Sequence, residues 1–133
     1  MTQPIHILIA DDQLGVRDAL SRALSSVEDF AVVGVASDGQ MAVAMAHALC
    51  PDVVLMDYRM PVIDGAEATR QILNAGPTIK VIGISMYEGG GEQEEMRAAG
   101  VTTFIPKRNG FGDLVNAIRD HFRPSESERP IPF

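Results

Sequence analysis

Tryptophan is absent from this 133-residue chain, cysteine occurs once, and aromatic residues make up only 5% of it. The single cysteine, Cys50, cannot form an internal disulfide, and it sits beside Pro51 at a helix-to-strand junction with no partner at metal-ligand spacing. It is expected to be a small buried hydrophobe. No apolar run approaches the ~20 residues that span a bilayer, so a membrane-spanning chain is excluded and no membrane partner is expected. The start, Met1 to Pro4, has neither the basic segment nor the small-residue cleavage site of a secretory signal, so the expected compartment is the cytoplasm. Lys and Arg number 11 against 18 Asp and Glu, for a net charge of −7. Affinity for nucleic-acid phosphates comes mainly from clustered cations releasing counterions, and no basic stripe is present, so direct nucleic-acid binding is not expected.

The chain does have enough apolar material for a core. Its 46% hydrophobic and 22% charged content is that of an ordinary globular domain. A chain of this length buries roughly two thirds of its unfolded surface. Five runs rich in branched aliphatics alternate with five segments of helical period, as in a doubly wound parallel α/β sheet covered on both faces. The strands are expected at Ile5–Ala10, Ala31–Ala36, Val53–Met56, Val81–Ser85 and Thr103–Ile105. The first helix puts Val16, Leu20, Ala23, Leu24 and Val27 on one stripe, and the last does the same with Phe111, Leu114, Val115, Ile118 and Phe122. Between them lie Met41–Leu49, Ala66–Leu73 and a weak segment near Glu92–Ala99, anchored by Met96 and Ala99. The glycines Gly89 to Gly91 before it predict a mobile loop and the least stable helix. The domain is expected over residues 1–122, with 123–133, rich in Pro, Ser and charge, as a linker or disordered tail.

Ligands of open doubly wound sheets bind beyond the carboxyl ends of the strands, where strand order reverses. Here the first strand ends on Asp11-Asp12, the third on Asp57, the fourth on Ser85, and the fifth, past Pro106, on Lys107. If the strand order is 2-1-3-4-5, the three carboxylates meet at that switch point and Ser85 and Lys107 flank them. Two ionised carboxylates about 4 Å apart repel by roughly 4 kcal/mol at an effective dielectric near 20, so such a cluster calls for a cation or shifted pKa values. Hard oxygen ligands beside open water positions suit Mg²⁺, with Mn²⁺ as a substitute. A metal there would neutralise incoming phosphoryl oxygens while Asp57 attacks phosphorus in line, and Lys107 and the Ser85 hydroxyl would touch the same oxygens. Taken singly these residues say little, since Asp11 and Asp12 could cap the first helix. Their weight comes from each ending a different strand on one edge.

These residues resemble the receiver domain of two-component response regulators, from Pro4 to Phe122. Ile7-Leu8-Ile9-Ala10-Asp11-Asp12 is similar to the family's first strand and acidic pair. The run from Asp52 to Pro61, followed by Asp64-Gly65, is similar to its phosphoacceptor block, and Ala99 to Lys107 to its last strand. The resemblance implies a flavodoxin-like (βα)5 fold of order 2-1-3-4-5 and a phosphoryl group accepted on Asp57 from a sensor histidine kinase. It implies that Asp12, Asp57 and the backbone carbonyl of Arg59 bind Mg²⁺ directly, with Asp11 acting through water. Ser85 and Phe104 would be the switch pair. The segment Ala31–Ala36 with Asp38-Gly39, and Ser85-Met86-Tyr87, look most like NarL/LuxR-type receivers, which precede a helix-turn-helix domain. Such a DNA-binding output domain is expected to be absent from this chain, leaving control of a partner or a homodimer as its output. Arg108 after Lys107 and Met86 after Ser85 depart from the pattern and bear on the lysine loop and on phosphoryl access.

Other readings fit less well. A haloacid-dehalogenase-like phosphatase requires an acid two residues after its nucleophile, where Arg59 stands. A flavin binder on this fold requires glycine and hydroxyl donors after the first strand, where Asp11 and Asp12 stand. A degenerate receiver would not retain all of Asp11, Asp12, Asp57, Ser85 and Lys107. A histidine phosphotransfer protein needs an exposed histidine on a helical bundle, whereas His6, His47 and His121 fall in an α/β pattern. No turnover of an external small molecule is expected.

Overall fold

The computed structural model describes residues 3–85, 91–106 and 109–121. Strands and helices alternate through them: β1 (Ile5–Ala10), α1 (Leu14–Ser25), β2 (Phe30–Ala36), α2 (Gly39–Leu49), β3 (Val53–Asp57), α3 (Gly65–Ala75), β4 (Lys80–Ser85), α4 (Gly91–Ala99), β5 (Thr103–Pro106) and α5 (Phe111–Asp120). The five strands form one parallel sheet in the order β2-β1-β3-β4-β5, with β1 and β3 adjacent at the centre. No described helix is long and apolar enough to cross a membrane.

Alternation along the central strands sends side chains to two separate cores. Leu8, Ala10, Val54, Met56 and Val81 pack with Ala42, Val43 and Ala46 of α2, Ala66, Ala68 and Ile72 of α3, and Met96 and Ala99 of α4. Ile7, Ile9, Val53, Leu55 and Ile82 pack on the opposite face with Leu24 of α1 and Leu114, Val115 and Ile118 of α5. Each large aliphatic fully buried in this way contributes roughly 1.5–3 kcal/mol, so the central strands are the best-anchored part of the chain.

Two helices begin at Asp-Gly pairs. Asp38 accepts a hydrogen bond from the Met41 amide at 2.7 Å, and Asp64 accepts one from the Glu67 amide at 2.8 Å, which fixes the starts of α2 and α3. That capping extends both helices past the apolar residues that announce them in the sequence. The strands β2 and β4 likewise start one residue earlier than expected, at Phe30 and Lys80. Helix α1 ends at Ser25, so Val27 packs against the core from the following turn and not from the helix.

Two expectations are corrected. Cys50 is exposed, because it terminates α2 in the left-handed conformation, φ 47°, just before Pro51. Phe111 is 40% exposed, since it opens α5 where only the next turn, at Leu114 and Val115, reaches the core. The expectations placed on Met86, Tyr87, Gly89, Gly90, Lys107, Arg108, Phe122 and the 123–133 tail lie outside the described residues.

Candidate metal centre

The pairing of Ala10 with Met56 across β1 and β3 sets the ends of the two central strands side by side. Asp11 and Asp12 follow one and Asp57 ends the other. One carboxylate oxygen from each of the three lies within 4.8 Å of the others. Asp11 and Asp57 are buried, and among the described residues they are the only buried ionisable side chains. Asp12 is exposed and forms the mouth of the cluster.

Local hydrogen bonds hold the first acid in place. The Asp11 amide donates to the Ala36 carbonyl at 3.1 Å, its Oδ1 accepts from the Gln13 amide at 2.9 Å, and its carbonyl accepts from Arg17 Nη1 at 2.8 Å. The N-cap of α1 is Gln13, without a side-chain capping bond, so the acidic pair is not there to cap the helix. The acceptor side is equally constrained. The Gly65 amide donates to the Tyr58 carbonyl at 2.8 Å, and a Cβ at Gly65 would collide with the Asp57 carbonyl oxygen. Only glycine allows α3 to start this close to β3.

Three converging carboxylate oxygens form a hard, anionic donor set that fits a small divalent cation and could hold one. The open side at Asp12 leaves room for water or for an oxygen-rich ligand.

The other expected site residues stand as follows. Ser85 ends β4 in register with Pro106, while its side chain and Lys107 lie outside what is described. Phe104, on β5, pairs with Gly83 on β4 and lays its ring where a Cβ at Gly83 would come within 2.5 Å of Cε1. The Arg97 guanidinium lies 5.4 Å from that ring's centroid.

Sequence reasoning did not find a set of contacts made by the two residues after Asp57. The Tyr58 hydroxyl donates to Glu95 Oε2 at 2.5 Å, and Arg59 Nε donates to Glu92 Oε1 at 2.7 Å. The Glu95 carboxylate, then burial and the nearby Asp64 and Glu92 charges, push the Tyr58 phenol up to about 12, so it remains a donor at neutral pH. The partners lie 37 and 33 positions away in sequence, and only the fold brings them together.

Comparison with known proteins agrees with this fold. A family model described as the response regulator receiver domain matches residues 7–119. The response regulator GacA of Pseudomonas aeruginosa is 39% identical over 118 residues, which is 89% of this chain and 55% of GacA. The chain thus spans about half the length of such relatives. Among solved structures, the response regulator domain of Thermotoga maritima CheB superposes with a TM-score of 0.82 at 35% identity, covering 90% of this chain and 96% of that one. The signal receiver domain of a Mycobacterium tuberculosis NarL response regulator gives 0.84 at 30% identity, with the same coverage of 90% and 96%.

Proposed function

This chain belongs to the response regulator receiver family, and from that premise we propose that it accepts a phosphoryl group on Asp57 from a sensor histidine kinase in the cytoplasm. The observation that carries the proposal is the meeting of Asp11, Asp12 and Asp57 at the junction of β1 and β3, with Asp57 ending a buried strand. Asp12, Asp57 and the Arg59 backbone carbonyl would hold Mg²⁺, or Mn²⁺ in its place, and Asp11 would act through water. When bound, the ion supplies positive charge against the phosphoryl oxygens.

Asp57 supplies the nucleophile. A carboxylate oxygen attacks phosphorus, an O–P bond forms as the P–N bond to the donor histidine breaks, and the leaving imidazole takes up a proton. The Lys107 ammonium and Ser85 hydroxyl contact the transferred oxygens, and water later cleaves the acyl phosphate to return the Asp57 carboxylate and orthophosphate. The buried setting of Asp57 limits how freely water reaches that bond. Phosphorylation draws Ser85 toward the new oxygens and lets Phe104 change its packing over Gly83, which alters the surface around α4, β5 and α5. That surface then controls an output domain, a partner or a homodimer. The receiver would occupy residues 1–122, with 123–133 as a linker or tail.

Intact mass after incubation with acetyl phosphate, with and without Mg²⁺, tests the assignment. The parent is expected to gain one phosphoryl group only with the ion, and Asp57→Asn to gain none. Full labelling of Asp57→Asn on the same peptide would sink the proposal.

A further inference from the structure

Helix α4 is held unevenly. Its buried side chains, Met96 and Ala99, both lie in its C-terminal half, and its first turn carries Glu92 and Glu94. Apolar burial therefore anchors one end of the helix and not the other. At the weak end stand Glu92 and Glu95, three residues apart and hence on one face. They take the side chains of Arg59 and Tyr58, the two residues directly after Asp57. A single bond would leave the helix free to pivot, whereas two, nearly one turn apart, set its rotation as well as its position. The Arg59–Glu92 pair is shielded mainly on the glutamate side, where exposure is 27% against 65% for the arginine. On its far side the same loop is pinned by the Gly65 amide on the Tyr58 carbonyl at 2.8 Å. Movement of the backbone at 58–59 is therefore carried to α4 by both side chains.

We propose that Glu92 and Glu95 are positioning residues for the acceptor loop, and that this clasp joins cation loading beside Asp57 and the placement of the N-terminal half of α4 in one equilibrium. The inference rests on the reading of Asp57 and the Arg59 carbonyl as parts of the metal site. It adds a route to α4 separate from Ser85 and Phe104, running through the residues that follow the acceptor in sequence. Coupling of this kind is reciprocal: if loading the cation loosens the clasp by some factor, cutting the clasp changes cation affinity by the same factor.

Amide exchange over Gly91–Ala99, followed by mass spectrometry on the full chain with and without Mg²⁺ and paired with calorimetric Mg²⁺ titration, provides the test. In Tyr58→Phe/Glu92→Gln, exchange in the first turns of α4 without the ion should rise about tenfold, as expected for losing two modest hydrogen bonds. Its response to Mg²⁺ should vanish, and Mg²⁺ affinity should shift by about fivefold or more. The charge-swapped pair Arg59→Glu/Glu92→Arg, measured beside its two single changes, should bring α4 exchange back toward the parent relative to either single, which a merely structural effect of removing charge would not do. Glu95→Gln alone, which leaves the loop's own residues intact, should move both readouts in the same direction by less. If Mg²⁺ binds the parent normally but α4 exchange responds to it equally in the cut variant, the inference fails while the proposed function stands. If the parent binds no Mg²⁺, both fail together.

Discussion

Val62 sits three residues before the start of α3 at φ 75°, with the Ile63 amide donating to the Pro61 carbonyl at 3.0 Å across it. That is a tight turn closed over one residue in a region that β-branched side chains rarely enter. The side chain is 68% exposed and loses little by removal. Strain of this kind costs about 1–3 kcal/mol, against roughly 0.5–1 kcal/mol for the extra chain entropy of glycine, so the strain wins. Val62→Gly should stabilise the protein by about 1 kcal/mol, read as a higher urea midpoint with an unchanged slope. Nothing in a Pro-Val-Ile run announces a positive φ, because the turn is imposed by the capping at Asp64 and the close seat of Gly65 on β3. Gly83 presents the opposite case, a residue whose lack of a side chain is filled by a neighbour. Gly83→Ala should push the Phe104 ring off its seat and cost about 1–3 kcal/mol, the usual range for overpacking. The shorter Phe104→Val should restore most of the loss in the double variant, and full additivity of the two losses would refute the contact.

Between elements, α5 is tied to the turn before β2 by Arg119, whose Nε and Nη2 donate to Asp29 at 3.1 and 2.7 Å while its guanidinium lies 5.6 Å from the centroid of the Phe30 ring. The hydrogen bonds from Arg119 hold the Asp29 carboxyl below its ordinary value of 3.8, with burial opposing. A depressed folded-state pKa means that the stabilisation is present above the unfolded value and is lost as pH falls through the folded one. Asp29→Asn should therefore lower the urea midpoint at neutral pH and match the parent in strong acid. A difference that persists there would assign the effect to packing. This staple was invisible in the sequence, since its partners are 90 positions apart. The elements themselves were legible, because strands such as Val53–Asp57 are buried on both faces and read as continuous apolar runs. Their ends on Asp11, Asp12 and Asp57 were legible for the same reason: polar residues interrupting such runs mark where the sheet stops. What stayed hidden depends on where an element stops relative to the core. Cys50 leaves the interior because α2 ends on it in a left-handed turn, and Phe111 stays at the surface because α5 starts there. The clasp on α4 joins residues that no periodicity links.

The molecule as a whole is two cores separated by one sheet, with Ile72 of α3 on one side and Ile118 of α5 on the other, both fully buried. Each Ile→Val change should cost about 0.5–1.5 kcal/mol. Across the sheet the two residues share no partner, so the double variant Ile72→Val/Ile118→Val should lose the sum of the single losses to within about 0.5 kcal/mol. Ile72→Val combined with Val81→Ala should depart from additivity, because both cavities open in the same core. Chemical denaturation of the singles and doubles decides the matter, and strong coupling across the sheet would contradict the two-core description. The consequence reaches beyond stability. A wall that keeps two sets of packing choices independent lets mutations accumulate on the α1 and α5 side without renegotiating those behind α2, α3 and α4. Descendants of such a chain can diversify one flank while inheriting the other nearly unchanged, and the acid cluster, placed on the rim where both flanks end, is common property of the two.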